Sequence, residues 1–423
     1  MVMKKIKEKK VFLYNLLLLT VFFNIWFPKA GIKISGIPLT IGNLLFACTF
    51  AVWGYYKIKE KKMYNHKINI IIVLGILYFV IKYTIVYATG ILTKDSIGYI
   101  IPLIIYPVIF FIVTDTVDSR NKMNIILKII VYGFFFLSFY SLLQYIVGID
   151  KCCIPGLTVN YTDYANLGRH WYLYKANGTS AESSKIVSTY QNGNLYGINT
   201  LLIYPFVYNY LKEKKSKVLW LSLVLFIVCV FLSLSRACWL GIVLFIFIEI
   251  ILNNEKTRIS MLKKIFIVVL CLLSVIIIFK YVPSISNRFF NTKTEDWISM
   301  SGRTEGLISV INTVNQSNSI LAILLGPYGI SDYSGLAYEM FPLAIFVQVG
   351  IIGIILLYLV FIQSITKMDK KNYIQKSSRL SILIWLIVGI IECAYWLPPV
   401  ALNIFLVLAL GYAEMNICKE RKD

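Results

Sequence analysis

Charged residues are scarce in this chain. Asp, Glu, Lys and Arg make up 15% of its 423 residues, whereas a soluble domain carries about 25%. Apolar residues reach 58% instead, and the mean hydropathy is +0.73. Together these departures exclude an ordinary cytosolic enzyme, a disordered chain and a small disulfide scaffold. They are typical of a polytopic membrane protein, because each spanning helix needs roughly 20 mostly apolar residues.

The eight cysteines do not have the pattern of a disulfide framework. Five of the eight lie inside apolar runs, where cysteine behaves as a small hydrophobe, and Cys418 lies in the basic tail. Only the vicinal pair Cys152–Cys153 falls in a polar loop, and its redox state does not follow from the sequence. No small-residue cleavage site follows the first apolar run, so we predict an uncleaved first helix and not a removed signal peptide.

Apolar runs recur along the whole chain and predict an all-α, polytopic membrane helical bundle with about 12 transmembrane helices. The break at Ser233–Arg236 divides one long apolar stretch into a tight hairpin. Pro398–Pro399 divides the last two spans, because consecutive prolines cannot continue a helix. The predicted spans are 11–28, 38–55, 68–88, 97–114, 125–147, 193–211, 217–234, 237–253, 265–282, 342–363, 380–397 and 399–415.

The distribution of basic residues predicts the orientation of these spans. With the N-terminus inside, 28 of the 42 Lys and Arg residues fall in cytoplasmic segments and 10 in external ones. This split follows the positive-inside rule, so we expect both termini to be cytoplasmic. The net charge of +21 is then mostly a consequence of topology, and we expect no nucleic-acid partner.

Two predicted external segments are long, and they divide the chain into five parts. Residues 1–147 contain spans 1 to 5, 148–192 form an external loop, and 193–282 contain spans 6 to 9. Residues 283–341 form a long external loop with an amphipathic helix, and 342–423 contain spans 10 to 12 and the cytoplasmic tail. Both loops are polar, and they either carry chemistry at this face or merely cap the bundle.

Arg236 and Arg303 are the candidate anion-binding residues. Arg236 lies at the membrane edge between two spans, where a charge indicates a functional site, unless it snorkels to the headgroups. Its planar fork suits bidentate binding of phosphate. Apolar residues recur at helical spacing after Arg303, and Ser301 or Gly302 can cap that helix. A helix N-terminus with an arginine suits an anion, although a solvated loop arginine is the alternative.

Histidine is rarer still. His170, beside Arg169, is the one external histidine of the two in the chain, and a metal site needs several ligands. The external carboxylates Glu295 and Asp296 are adjacent, which is a poor chelating arrangement. We therefore expect no metal and no other cofactor. The Arg169–His170 stretch is either part of a site or an ordinary polar loop flanked by aromatic residues.

Lys82 and Glu392 are charges inside predicted spans. A charge at such depth can serve as the proton or ion relay of a transporter. Because both residues lie close to the outer ends of their spans, snorkelling or a structural ion pair is the alternative.

Three segments in order resemble the superfamily of O-antigen ligases and Wzy-type surface polysaccharide polymerases. STYQNGNLYG (188–197) is similar to the family's G-T-F-x-N-P-N-x-x-G motif, and LSLSRACWLG (232–241) is similar to its S-R-x-x-W/L motif. The resemblance covers about residues 188–363. The family's arginine helix, glycine turn and E-x-G span correspond to GRTEGL (302–307), LLGPYG (324–329) and FVQVGIIGIILL (346–357).

The departures from the family pattern favour the polymerase branch. Gln348 stands where the family has the Glu of E-x-G, and nine residues upstream Glu339–Met340 replace the His-Asn of the ligases. Polymerase-like members often have an acidic residue near this place. The resemblance thus implies Glu339 as the general base, with Asp332, His170 or Asp163 as alternatives.

The resemblance implies a GT-C-like, multi-pass protein of the bacterial inner membrane that makes O-antigen, lipopolysaccharide or capsule chains. It would carry out metal-independent glycosyl transfer at the external face, with undecaprenyl-pyrophosphate-linked oligosaccharides as donor and acceptor. Besides membrane lipid, a chain-length regulator protein is a candidate partner. The implied catalytic residues are Glu339, Arg236 and Arg303, and the implied substrate-binding residues are Arg169, His170, Asn192, Asn194 and Tyr338.

Two other functions stay open. An O-antigen ligase or protein O-glycosyltransferase of the same superfamily would use the same kind of donor. A polysaccharide flippase or secondary transporter would instead place charges at the membrane midplane and broken helices in both halves of the chain.

Overall fold

The computed structural model describes residues 2–34, 37–60, 67–88, 101–168, 185–251, 299–317, 319–328, 340–392 and 399–420, with the single helical positions 269, 273, 276 and 280. Over these residues the chain is almost entirely helical, with one antiparallel hairpin. The elements are α1 (Val2–Trp26), β1 (Gly31–Ile34), β2 (Ile37–Thr40), α2 (Ile41–Glu60), α3 (Lys67–Ala88), α4 (Val108–Thr116), α5 (Arg120–Val147), α6 (Ile149–Cys152), α7 (Tyr161–Leu167), α8 (Gly193–Glu213), α9 (Leu219–Leu232), α10 (Arg236–Phe245), α11 (Ser299–Ser317), α12 (Ile320–Leu325), α13 (Phe341–Lys367), α14 (Tyr373–Gly389) and α15 (Val400–Glu420), and short π-helices at Ile101–Ile105 and Ile246–Ile251.

Four of the described helices, α3, α5, α13 and α15, are long and apolar enough to cross a membrane. The outward faces of such helices expose large apolar side chains, for example Ile81 of α3 at 60% and Ile146 of α5 at 79%. Apolar surface of this extent is unfavourable in water and favourable in lipid. The protein is therefore a membrane protein, and the number of twelve spans stays a prediction.

Helices α8, α14 and α15 form the centre of the bundle, and α15 also packs against α4. Hydroxyl groups on α14 connect it to both neighbours. Ser381 Oγ donates to Leu202 O of α8 at 2.7 Å, and Ser378 Oγ donates to Val407 O of α15 at 2.8 Å. Gly411 allows the close approach of α15 to α14, because a Cβ there would lie 2.6 Å from Ser378 Oγ. Small and hydroxyl-bearing residues at helix contacts are typical of membrane bundles.

Charged residues collect at the two ends of this bundle. At one end, which we call the Glu414 end, the buried Glu414 carboxylate pairs with Arg120 at 2.7 Å and Glu249 pairs with Lys376 at 2.6 Å. The opposite end, which we call the Asn194 end, contains the beginnings of α8 and α10 and the end of α14. These ion pairs lie at the ends of the bundle, where charge is less costly than in the hydrocarbon region.

Helix α13 is interrupted at Gly350, whose φ of +64° lies in the left-handed region. The end of α12 and the turn after it pack directly against this break. A Cβ at Gly350 would lie 2.3 Å from Leu324 O and 2.4 Å from Gly326 N. Only glycine satisfies both the backbone conformation and this close approach.

Candidate functional site

The connection between α9 and α10 lies at the Asn194 end. α9 ends at Leu232 and α10 begins at Arg236, which confirms the predicted break in the apolar stretch. Arg236 is exposed as the first residue of α10. The first N–H groups of a helix lack intrahelical acceptors, so the guanidinium and the helix N-terminus together favour an anion at this place.

The segment that precedes α8 lies on this connection. Ile186 N donates to Leu232 O at 3.1 Å. A Cβ at Gly193 would lie 2.6 Å from Ser233 O, so the glycine allows the beginning of α8 to approach the connection closely. The first two of the three resembling segments are therefore in direct contact.

Two residues of this segment, Ser188 and Gln191, have positive φ angles of 48° and 58°. Ser188 stands where the resembling motif has glycine, the residue that adopts this conformation without strain. Its surroundings hold it there: Ser188 Oγ donates to Leu137 O at 3.1 Å, and Gln144 Nε2 donates to Ser188 O at 3.0 Å. Such strain persists only where the structure over-determines it, and it is frequent at functional sites.

Asn192 and Asn194, both predicted to bind substrate, have defined partners. Asn192 caps α8, because its Oδ1 accepts from the N–H groups of Asn194 at 2.8 Å and Leu195 at 3.2 Å. Asn194 connects two opposite charges: Lys185 Nζ donates to its Oδ1 at 3.0 Å, and its Nδ2 donates to Glu392 Oε2 at 3.1 Å. We call this arrangement the Lys185–Asn194–Glu392 bridge.

The bridge lies beside the beginning of α10. Cys238, in the first turn of α10, packs against α8, since a Cβ at Gly197 would lie 2.7 Å from Cys238 Sγ. A Cβ at Gly193 would lie 2.8 Å from Lys185 Cβ as well as 2.6 Å from Ser233 O, so Lys185 lies beside the connection that leads into α10. The Asn194 end thus brings a buried lysine and a half-buried carboxylate to the N-terminus of the helix that begins with Arg236.

Asp163, one of the alternative bases, is held in a separate network at the same end. Lys33 Nζ donates to both of its carboxylate oxygens, at 2.8 Å and 2.6 Å, and Gln191 Nε2 donates to Oδ2 at 3.1 Å. Asp163 is buried. Because both oxygens are engaged, this carboxylate connects the β1–β2 hairpin to α7 and is poorly placed to accept a proton from a substrate.

Lys82 and Glu392, the charged residues inside the predicted spans, have partners that the sequence does not indicate. Lys82 is buried and does not snorkel: its Nζ donates to Gly326 O at 3.1 Å and to Tyr328 O at 2.7 Å. Glu392 belongs to the bridge described above.

The remaining predicted residues are less fully described. α11 begins at Ser299, so the expected cap at Ser301 or Gly302 is wrong and Arg303 lies in the second turn. There the helix dipole is weaker, since its effect falls off within one turn. The predicted anion-binding role of Arg303 stays a prediction, because the Arg303 side chain lies outside the described part. The predicted residues that lie outside the described ranges altogether are Arg169, His170, Tyr338 and Glu339, together with the alternative base Asp332.

Within the described ranges, no group of three or more His, Cys, Asp or Glu residues is placed to hold a metal ion. In the part of the chain that the structure describes, the vicinal residues Cys152 and Cys153 form no disulfide. Burial and the nearby Asp150 carboxylate raise the pKa of the Cys152 thiol, which lowers its thiolate fraction.

Comparisons with protein-family models, with curated proteins and with solved structures find no match for this chain. The resemblance described above therefore depends on the residues and their contacts alone.

Proposed function

We propose that this protein is a surface polysaccharide polymerase, which joins undecaprenyl-pyrophosphate-linked repeat units at the external face of the bacterial inner membrane. The observation that carries the proposal is the Lys185–Asn194–Glu392 bridge beside the N-terminus of α10, where Arg236 is exposed. Glycosyl transfer from a lipid pyrophosphate needs cationic groups for the leaving phosphates and a carboxylate for the acceptor proton. Both kinds of group meet at one end of a membrane bundle.

The proposed reaction exchanges one bond at an anomeric carbon. A hydroxyl oxygen of one repeat unit attacks this carbon of the growing chain, and a new glycosidic bond forms. The bond between the anomeric carbon and the pyrophosphate oxygen breaks, and the electron pair leaves with undecaprenyl pyrophosphate. The hydroxyl proton passes to a carboxylate. Arg236 and the N–H groups of α10 are suited to the charge that develops on the leaving group.

Contacts between the resembling segments support the same proposal. Residues 188–197 contact 232–241 through Gly193 and Ser233. The glycine turn (324–329) contacts the resembling span at 346–357, because Tyr328 N donates to Val347 O at 3.1 Å. Segments that carry a common activity are expected to meet in space, whereas chance similarities have no reason to do so.

In this proposal the Asn194 end is external, the bundle has twelve spans in a GT-C-like arrangement, and both termini are cytoplasmic. We expect an impermeant maleimide to label Gln316→Cys from outside intact cells and to label Lys371→Cys only after the membrane is permeabilised. Both residues are exposed on described segments, so each variant controls the accessibility of the other. Labelling of Lys371→Cys, with protection of Gln316→Cys, would contradict the orientation.

A secondary transporter is the competing candidate, and the break in α13 with the buried Lys82 is the observation in its favour. In transporters, unwound backbone carbonyls coordinate the coupling ion. Here the ammonium of Lys82 already occupies the carbonyls of Gly326 and Tyr328. Because the Lys82 ammonium is fixed at these carbonyls, they are poorly suited to bind an exchangeable coupling ion.

Deletion of the gene in its own host should separate these functions. If the protein is a polymerase, a gel of surface glycan will lose its ladder of long chains and retain species with one repeat unit. Wild-type protein supplied in trans is the positive control, and it should restore the ladder. Loss of all glycan from the surface lipid would indicate a ligase, and loss of external repeat units altogether would indicate a flippase.

A further inference from the structure

The segment formed by α11, α12 and the turn Gly326–Tyr328 lies in a part of the chain that the sequence assigns to an external loop. Its contacts reach deep into the bundle. Gly326 packs against Gly350, which lies nine residues after the start of α13, or roughly 13 Å along the helix axis. On α3, Tyr78 and Lys82 contact the same segment, and Lys82 lies six residues or roughly 9 Å before Ala88.

The backbone groups at this depth are paired as a lipid environment requires. The turn presents carbonyls at Gly326 and Tyr328, and both accept from Lys82 Nζ. The break in α13 frees the carbonyls of Val347 and Val349. Val347 O accepts from Tyr328 N at 3.1 Å, and Val349 O accepts from the hydroxyl of Tyr78 at 2.6 Å. Irregular backbone at membrane depth is tolerated only when it is satisfied within the protein in this way.

The outward surface of the segment is apolar. In α12, Ile320 is 70% exposed and Leu321 is 53% exposed, whereas Ala322 is buried. In α11, Ile308 and Ile311 are exposed next to Val310, which is buried against α13. Exposed apolar side chains on an element that reaches membrane depth match the acyl chains of a bilayer and do not match water.

We infer that α11, α12 and the turn Gly326–Tyr328 form a re-entrant hairpin, which enters the membrane from the Asn194 end and rests its apolar face on lipid acyl chains. Lys82 is the internal cation that holds the turn in place. The start of α13 is at the Asn194 end, since a Cβ at Gly389, the last residue of α14, would lie 3.7 Å from Phe341 Cβ. This inference does not depend on the proposed enzymatic activity.

Fluorescence quenching in vesicles tests the position of the hairpin. The full chain, with its eight native cysteines replaced, carries a polarity-sensitive fluorophore at Ile311→Cys, Ile320→Cys or Gln316→Cys. Gln316 is the matched control, since it is exposed five residues from Ile311 and so lies roughly 140° around the same helix. Each variant is reconstituted into vesicles of phosphatidylcholine and phosphatidylglycerol, with or without a nitroxide on the acyl chains.

We expect the acyl-chain nitroxide to quench the probes at Ile311 and Ile320 several-fold more than the probe at Gln316. Aqueous iodide should show the opposite order. Strong iodide quenching at Ile320 would overturn the inference, because the apolar face would then be in water. Protection of Ile320 from both quenchers would overturn it as well, because protein and not lipid would cover that face.

Lys82→Met tests the internal cation, since it keeps an unbranched chain and removes the ammonium. We expect the probe at Ile320 to lose most of its nitroxide quenching and gain iodide quenching. Lys82→Arg should retain much of the wild-type pattern, and Lys128→Met, at an exposed lysine of α5, should retain all of it. If Lys82→Met does not fold, Tyr78→Phe, which removes the hydroxyl bonded to Val349 O, should give the same shift to a smaller extent. Unchanged quenching in a folded Lys82→Met protein would overturn the role of Lys82.

Discussion

Arg236→Ala is expected to lower the rate of chain extension about 10²–10³-fold, the typical cost of removing one donor to a developing charge. The leaving pyrophosphate gains negative charge as its bond to the sugar breaks, and Arg236 is exposed at the first residue of α10. Arg236→Lys should not restore the rate, because an ammonium lacks the bidentate fork of the guanidinium. The measurement uses purified protein in vesicles, supplied with lipid-linked repeat units, and follows chain length on a gel.

Arg303→Ala is expected to cause a comparable loss if both arginines bind the same pyrophosphate. In that case the double variant should lose less than the product of the two single effects, because residues that act as a unit are not additive. Arg379→Ala is the matched control, since Arg379 lies on α14 toward the Glu414 end. Near-normal chain length in either single variant would show that the replaced arginine is not part of the site. A structure with the two guanidinium groups at opposite ends of the bundle would exclude a shared site.

Local features of the site follow from the sequence. The end of α9 at Leu232 and the start of α10 at Arg236 agree with the predicted break in the apolar stretch. α8 begins at Gly193, where the predicted span 193–211 also begins. These features depend on neighbouring residues only, which is why the pattern of the chain is enough to predict them.

The partners of the charged residues could not be predicted in the same way. Asn194 and Glu392 are 198 residues apart in the chain, and Lys82 is 244 residues from Gly326. Lys185 is one of three lysines in the predicted loop 148–192, and no spacing distinguishes it from the other two. Each of these contacts depends on how helices pack, and packing is not encoded in any local period of the sequence.

The re-entrant hairpin was missed for a related reason. The segment ILAILL of α12 is six residues long, too short for the roughly 20 residues that indicate a span. The break at Gly350 lies inside an apolar run that reads as one continuous helix. The close approach of Gly326 to Gly350 and the hydrogen bond from Tyr328 N to Val347 O show that the two segments meet. The signal for the hairpin in the sequence is the pair Gly326 and Gly350, which lie in the resembling segments 324–329 and 346–357. This pair indicates a hairpin only once the two glycines are known to be in contact.

The Glu414 end shows why the balance of charge alone does not locate a site. It contains the ion pairs Arg120–Glu414 and Lys376–Glu249, at distances as short as those of the Asn194 end. These are direct pairs, in which each carboxylate is neutralised by its own cation. At the Asn194 end, the amide of Asn194 bonds both Lys185 and Glu392, and the exposed Arg236 lies beside them at the start of α10.

Glu339→Gln is expected to lower the rate of chain extension about 10²–10⁴-fold, the usual contribution of a positioned general base. A sugar hydroxyl is a poor nucleophile, and glutamine keeps the size of glutamate but cannot accept the proton. Glu339 directly precedes Met340, the N-cap residue of α13, and α13 begins beside the end of α14, three residues before Glu392.

Glu392→Gln is the matched comparison for this test, because a glutamine oxygen can still accept from Asn194 Nδ2. We expect this variant to lose less activity than Glu339→Gln, since the bridge would retain its geometry. The assay is the same extension of lipid-linked repeat units, with protein levels normalised. If Glu339→Gln extends chains at the wild-type rate and Glu392→Gln does not, the base is Glu392. If neither variant is impaired, the proton goes to another group, and Asp332 and His170 become the residues to replace.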